Sequence, residues 1–406
     1  MKKTLVIHFA RYGPYHYARL VAAVDLLEPL GWQVVGLEIA GSDATYAWDQ
    51  LEEGEFQLQV ITAFPKRVHE EISLAEFKRV LPPVLDEIQP AAVAIAGWGS
   101  TDARVCLDWC RQHGVRAIVM SETREIDGRR VWWKEWLKSR LITRFDGALV
   151  GGKSHRDYLV QLGMLPKQIC FGYNVVDNAY FRKESCNWRV DEHESGLSIN
   201  PYLLASNRFV ERKNLIRLML AFACVSPADS SEHCAPVDLC LVGDGPQRAA
   251  LLSTCEALDL PVVEAAPWAM EAEASSVPTR PRVFLPGFRQ IEELPRFYAH
   301  ACCFVHPAIS EPWGLVINEA MACGLPVLCS ANCGAAEELV NDGVNGFSFD
   351  PLDTASISRV LRTFLNLPPE QKAAMGEASS ELIKQRYPTS AFGQGLATLL
   401  AGLREP

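Results

Sequence analysis

Short β-branched or alanine-rich runs alternate with helical patterns along most of the chain, and this alternation starts twice. The first series reads TLVIHFA, a helical pattern from Tyr15 to Leu30, WQVVGLEIA, PAAVAIAG, a helical pattern from Asp102 to His113, VRAIVMSE and FDGALVGG. Runs that are apolar throughout suit strands buried on both faces, so the rhythm predicts a parallel sheet covered by helices on each side. The second series restarts with PYLLASN, VDLCLVGDG, RVFLPGF, CCFVHPA and PVLCSAN. Two doubly wound α/β domains in tandem follow. The 406 residues, 49% of them hydrophobic, are too many for one ordinary core and enough for two.

Between the series, Asp177 to Asn200 loses periodicity, turns polar and charged, and ends at Pro201. It predicts a first domain over 1–185, a linker over 186–200 and a second domain over 201–385. The apolar pattern FGQGLATLLAGL then predicts a terminal helix within 386–406 that crosses back to the first domain. Two polar stretches, Ser226 to Pro236 and Pro261 to Pro281, read as surface insertions.

A formal net charge of -10 opposes non-specific nucleic-acid binding, which needs a basic field to displace counterions. Thirteen cysteines, an odd number with no CxxC pair, read as small buried hydrophobes in a reducing cytoplasm. The apolar run after the first two lysines ends at Arg11, too soon for a convincing secretion signal, and no run approaches the roughly 18 residues of a membrane span. No D-x-D occurs, so a carboxylate pair holding a metal against a diphosphate is not expected.

The stretch HPAISEPWGLVINEAMACGLPV, residues 306–327, concentrates the chemistry. Pro307 and Pro312 keep its first part non-helical, and a helix begins near Gly314 and stops at Gly324, placing Glu311 ahead of the helix and Glu319 inside it. The first-turn N–H groups of Gly314, Leu315 and Val316 lie at the positive end of the helix dipole, a ready phosphate site. Taken singly, Glu311 is an N-terminal charge favoured by the dipole and Glu319 a solvated helix residue. In PYLLASNRFVERKNL, Arg208 and Lys213 follow a strand whose carboxyl end is where ligands bind in open sheets, and two cations suit a diphosphate.

These features, with YNVVDNAYF, LVGDGP (Leu241 to Pro246, containing Gly243), FLPGF, the Glu311/Glu319 pair and GAAEELVNDGVNGF, resemble retaining glycosyltransferases of the GT-B fold, specifically family four. The resemblance covers about Tyr173 to Pro351. It implies two Rossmann-like domains facing across a cleft, an acceptor-binding first and a nucleotide-sugar-binding second. It further implies that Glu311 contacts donor sugar hydroxyls, Glu319 the ribose, Arg208 and Lys213 the diphosphate, and the loop of Pro286, Gly287, Phe288 and Arg289 the base. The donor is then a nucleoside-diphosphate sugar used as substrate, with no cofactor and no metal, and the acceptor an unspecified hydroxyl. Asn207 stands where relatives commonly have glycine, and GWGSTD (Gly97 to Asp102) stands where many carry a histidine.

On the acceptor side, Gly13, His16, Trp98, Ser100, Thr101 and Glu122 are candidates, with a packing role the plainer reading of His16. Retention by front-face attack is implied, the leaving phosphate taking the acceptor's proton. RRVWWKEWLKSRLITR sets Trp132, Trp133, Trp136, Leu137 and Leu141 on one helical face between cations. Such a face either lies on an anionic membrane, at its cytoplasmic surface, or packs against its own domain. A sugar-nucleotide epimerase of the same fold and a catalytically silent sugar-nucleotide-binding protein remain alternatives.

Overall fold

The computed structural model describes residues 2–43, 58–195, 200–225, 237–270 and 280–402. These form two compact units, Met1–Val176 with Tyr387–Pro406, and Asp177–Arg386. The insertion proposed at 226–236 lies outside the described residues.

In the first unit, strands β1 (Lys3–Phe9), β2 (Trp32–Ser42), β3 (Val60–Val68), β4 (Ala92–Ala96), β5 (Arg116–Ser121), β6 (Gly147–Val150) and β7 (Ile169–Phe171) form one sheet. All its pairings are parallel, in the order β3-β2-β1-β4-β5-β6-β7. Helices α1 (Pro14–Leu27), α2 (Leu74–Ile88), α3 (Thr101–His113), α4 (Trp132–Ile142) and α5 (Lys153–Gln161) are its crossovers. β3, which contains Pro65, is an edge strand, the place where a missing N–H is tolerated. Val6, Val35, Leu37, Val93, Ile95, Val119 and Val150 build the core beneath α2 and α3. The terminal helix Ala391–Gly402 packs on α1 and β7, and Arg116 donates to its Leu400 carbonyl at 3.1 Å.

α4 does not pack its tryptophans inward. Ile142 is its buried residue, while Trp132 is 82% exposed, and Trp133, Trp136 and Leu137 are about half exposed.

The second unit repeats the design with β8 (Tyr202–Ser206), β9 (Asp238–Val242), β10 (Val262–Val263), β11 (Val283–Gly287), β12 (Ala301–His306), β13 (Val327–Ser330) and β14 (Gly346–Phe349). They are parallel in the order β10-β11-β9-β8-β12-β13-β14. Its helices are α6 (Asn178–Ser195), α7 (Leu215–Ala223), α8 (Arg248–Ala257), α9 (Leu294–His300), α10 (Leu315–Ala322), α11 (Gly334–Leu339), α12 (Thr354–Leu365) and α13 (Pro369–Arg386).

Two expectations are corrected here. The polar stretch read as a linker is the helix α6, and the units divide at Val176/Asp177 rather than after 185. What the composition hid is a narrow docking stripe: Phe181 is buried against Tyr298, and Arg189 donates to the carbonyls of Ala299, in the last turn of α9, and Cys323, just past α10. Likewise, Pro261–Pro281 begins not as an insertion but with the edge strand β10, paired to β11.

In each sheet the chain winds outward one way, then returns to the centre and winds the other way. The reversal falls between β1 and β4 in the first unit and between β8 and β12 in the second. Loops leaving adjacent strands diverge there and leave a crevice at the carboxyl edge, the usual ligand position in this architecture.

Gly243 holds the second crevice together. Its φ is 135°, and a Cβ would lie 1.8 Å from the Asn207 carbonyl oxygen, so the loop after β9 can approach the loop after β8 only with glycine there. Gly243→Ala should therefore cost about 2–4 kcal/mol and lower the melting temperature. Parental melting would show that the approach is not needed.

Candidate active site

At the second reversal point, β12 ends in His306, the loop 307–313 follows, and α10 begins after Gly314. Gly314 adopts φ 101°, and a Cβ on it would meet Cys333 Sγ at 3.1 Å and the side chains of Glu311 and His306 at 3.5 Å. The helix carries no side-chain cap and no acid in its own first turn, so no side chain of that turn competes for its leading N–H groups at Gly314, Leu315 and Val316. Backbone bonds from Gly334 N–H to the Glu311 carbonyl (2.9 Å) and from Ala335 N–H to the Trp313 carbonyl (3.1 Å) pin this loop to the start of α11. Trp313, fully buried, donates through Nε1 to Asn318 Oδ1 at 2.9 Å.

Lys213, in the one-turn helix Glu211–Lys213 after β8, donates to Glu311 Oε2. Both side chains are about nine-tenths buried, and His306 Nε2 lies 3.7 Å from the same oxygen. Burial by itself would raise the Glu311 carboxyl, but the adjacent His306 ring and the Lys213 charge outweigh it and hold Glu311 well below the ordinary carboxylate range. Burial would likewise lower His306, yet its nearness to Cys333 and Glu311 raises it. Cys333 donates to the Trp313 carbonyl at 2.6 Å, and the neighbouring Cys329 and His306 pull its thiol below the usual value against burial.

Glu319 is not a solvated helix residue: it is fully buried in α10, and the Tyr298 hydroxyl donates to its Oε2 at 2.7 Å. Arg208 sits in the loop leaving β8, beside Asn207, whose buried amide nitrogen and oxygen have no hydrogen-bond partner among the described residues. Pro286 and Gly287 belong to β11 itself, Gly287 accepting from Gly243 N–H at 2.9 Å. Phe288 beyond them is 37% exposed, and Arg289 donates to the Pro286 carbonyl (2.9 Å) and to Glu293 (2.8 Å). Thus Lys213, Glu311 and Gly314 come together, Arg208 and Gly243 lie on the loops after β8 and β9, and Glu319 lies one helix turn deeper.

His306, Cys333 and Tyr298 are additions that sequence reasoning missed. A histidine closing CCFVH, five residues before Glu311, is the signal that was available.

In the first unit, His16 takes a structural part. Its Nδ1 accepts from the Gly13 N–H at 3.2 Å, capping α1, and its ring lies 4.1 Å from that of Phe9. Burial, with the Arg19 charge behind it, pushes its pKa down to about 3, so the ring is neutral. Trp98 donates to Ser121 Oγ at 3.4 Å, Ser100 precedes α3, Thr101 opens it, and Glu122 is exposed after β5. No cluster of three or more His, Cys, Asp or Glu among the described residues is arranged to hold a metal ion, and no described helix is long and apolar enough to cross a membrane.

A family model described as Glycosyl transferases group 1 matches residues 267–382, the span that contains Pro286, Glu311, Gly314 and Glu319. That segment is similar to the group 1 glycosyl transferases. Arg208, Lys213 and Gly243 lie outside the matched group 1 segment and join it through the fold. Sucrose synthase 2 of Hordeum vulgare is 34% identical over 109 residues, 25% of this chain and 13% of that protein. The sucrose synthase of Acidithiobacillus caldus is 33% identical over 99 residues, 24% of this chain and 12% of that protein. The matches therefore span about an eighth of these relatives. Among solved structures, Thermosynechococcus elongatus sucrose-phosphate synthase superimposes with a TM-score of 0.72 at 17% identity, covering 99% of both chains. The Anabaena HepE protein in complex with UDP and glucose does so with a TM-score of 0.70 at 18% identity, covering 99% of this chain and 100% of that one. This likeness places the two doubly wound units in the GT-B fold.

The ion pair makes a pH-dependent contribution to stability. Because the folded pKa of Glu311 is depressed, its contribution is present above the unfolded carboxylate value of about 4.3 and is lost as pH falls through the folded value. Lys213→Ala leaves that carboxylate buried without its main cation, so it should cost about 3 kcal/mol at pH 7, narrowing on acidification. Denaturant unfolding of both proteins at several pH values reads this directly. A gap that does not change with pH would contradict it.

Proposed function

We propose that the chain transfers a sugar from a nucleoside-diphosphate sugar to a hydroxyl acceptor with retention at the anomeric carbon, without a bound metal. The observation that carries this reading is the buried Lys213–Glu311 pair beside the uncapped start of α10, at the reversal point of a unit holding a group 1 segment. The diphosphate lies against the N–H groups of Gly314, Leu315 and Val316, with Lys213 and Arg208 supplying positive charge as the leaving group develops its own. These donors are fixed before the reaction, so little reorganisation opposes the step.

Glu311 reaches the sugar hydroxyls, and Lys213 stands between it and the phosphate, so one cation serves both. Glu319, whose Oε2 accepts from the Tyr298 hydroxyl, holds the ribose. The leaving phosphate oxygen takes the proton of the attacking hydroxyl. Release of nucleoside diphosphate that depends on an acceptor separates this reaction from epimerisation. A melting-temperature panel with UDP-, GDP-, ADP- and dTDP-glucose finds the base.

With the donor so found, Glu311→Gln and Lys213→Ala should lower kcat by about 10² or more, since both act on charge that grows in the transition state. Glu319→Gln should mainly raise the donor KM, because ribose is held alike in ground and transition states. Turnover should persist in EDTA. Parental kcat in Glu311→Gln, or chelator-sensitive turnover rescued by magnesium, would contradict the scheme.

A second part of the proposal is peripheral association with an anionic membrane through α4. Trp132, Trp133 and Trp136 are exposed, and the latter two carry cations on their faces, Arg140 at 4.1 Å from the Trp136 ring centre and Lys134 at 5.4 Å from that of Trp133. Indole rings with adjacent cations suit the interface between headgroups and water. The chain should float with phosphatidylglycerol vesicles at low salt, less so at high salt, and Trp132→Ala/Trp136→Ala should weaken flotation several-fold. Absence of flotation at low salt would refute this part.

A further inference from the structure

The first unit has a charged cluster of its own at its own reversal point. His8, next to last in β1, lies with Nε2 3.0 Å from Oδ2 of Asp102, which occupies the first turn of α3 after β4. Oδ1 of Asp102 lies 3.4 Å from Nε2 of His69, in the one-turn helix His69–Glu71 after β3. His8 and Asp102 are each 1% exposed, whereas the His69 side chain keeps 19% of its surface in water. Three strand ends thus deliver one carboxylate and two imidazoles to the carboxyl edge of the sheet, with His69 the outermost.

The trio is not a finished structural network. The contacts are short, yet His8 Nε2, Asp102 Oδ1 and His69 Nε2 are buried with no well-aligned hydrogen bond, a state that buried polar atoms seldom keep without a reason. Burial alone would raise the Asp102 carboxyl, but the two imidazoles hold it far below the ordinary range. Around His69 stand Asp102 from α3, Glu70 on its own turn, Asp43 just past β2 and, from α2, the Phe77 ring at 6.0 Å. The 3.4 Å contact with Asp102 and the charges of Asp102, Glu70 and Asp43 raise the imidazole against its burial. The nearby cation Arg11 is 3.6 Å from Asp43, and these two charges offset each other, leaving Asp102 and Glu70 as the acids beside the ring.

We propose that His69, oriented by Asp102 and through it by His8, binds the second substrate of the chain, and that this substrate offers it an uncharged sugar-type hydroxyl rather than a phosphate. With Nε2 turned to Asp102, Nδ1 is the nitrogen left for the ligand. The acids around the ring disfavour an anion there and leave a hydroxyl, which needs only a hydrogen bond, as the group that fits. GWGSTD, which lacks a histidine after β4, then contributes through Asp102, and the imidazole comes from the end of β3, three places away in the sheet. The inference rests on the hydroxyl-acceptor reading given above.

The test reads His69 directly. In side-chain 15N NMR of the full chain, with His69 assigned by its loss in His69→Gln, methyl α-D-glucoside should shift the His69 imidazole signals, and glucose 6-phosphate at equal millimolar concentration should shift them less. In transfer assays with glucose, His69→Gln should raise the acceptor KM by about tenfold or more while leaving the thermal shift produced by the donor at its parental size. Equal or larger shifts with glucose 6-phosphate, no shift with either probe, or a parental acceptor KM in a His69→Gln protein that melts normally would each overturn the proposal. The NMR arm needs no turnover, so it still reads His69 if the chain proves not to be a transferase.

Discussion

A lysine and a glutamate 98 residues apart close a buried ion pair, and the arrangement of the second unit serves that contact. Removing both charges from water costs several kcal/mol each, a cost that a chain selected for stability alone could avoid with two apolar residues. The pair survives because it is embedded: His306 stands on the same carboxylate, and the loop beneath is pinned to the start of α11. Parallel order makes the meeting possible, since β8 and β12 are neighbours in the sheet although β9, β10 and β11 intervene in sequence.

The two units solve the same problem with different residues. Each sets an ionised carboxylate at its reversal point, Glu311 in the second and Asp102 in the first, and each holds it ionised against burial with nitrogen bases from other loops. The second uses a permanent cation, which suits a diphosphate. The first uses imidazoles, which suit hydroxyls. Scaffold and chemistry are thus separable: the strands are nearly all apolar, and the reactive groups lie on or just beyond their carboxyl ends.

The sheets were legible because buried parallel strands read as unbroken apolar runs, as in LVIHF and VFLPG. Strands that break that rule escaped: β3 carries Pro65, Lys66 and Arg67 on an exposed edge, and β10 is two residues long. α6 escaped because its docking side amounts to Phe181, Arg189 and a few neighbours in an otherwise charged segment. Lys213, Glu311 and Gly314 were legible from residue type and order. His306, Tyr298 and the His8–Asp102–His69 trio were not, because each acts through a partner distant in sequence, and no local pattern marks a histidine at the end of a strand as different from one that merely packs.

The most direct measurement is a crystal structure of the chain grown with UDP-glucose, or with whichever sugar nucleotide raises the melting temperature most. The account predicts diphosphate density against the N–H groups of Gly314, Leu315 and Val316, within reach of Lys213 and Arg208, with the sugar beside Glu311 and the ribose beside Glu319. A nucleotide bound elsewhere on the second unit, with the Lys213–Glu311 pair untouched, would contradict it.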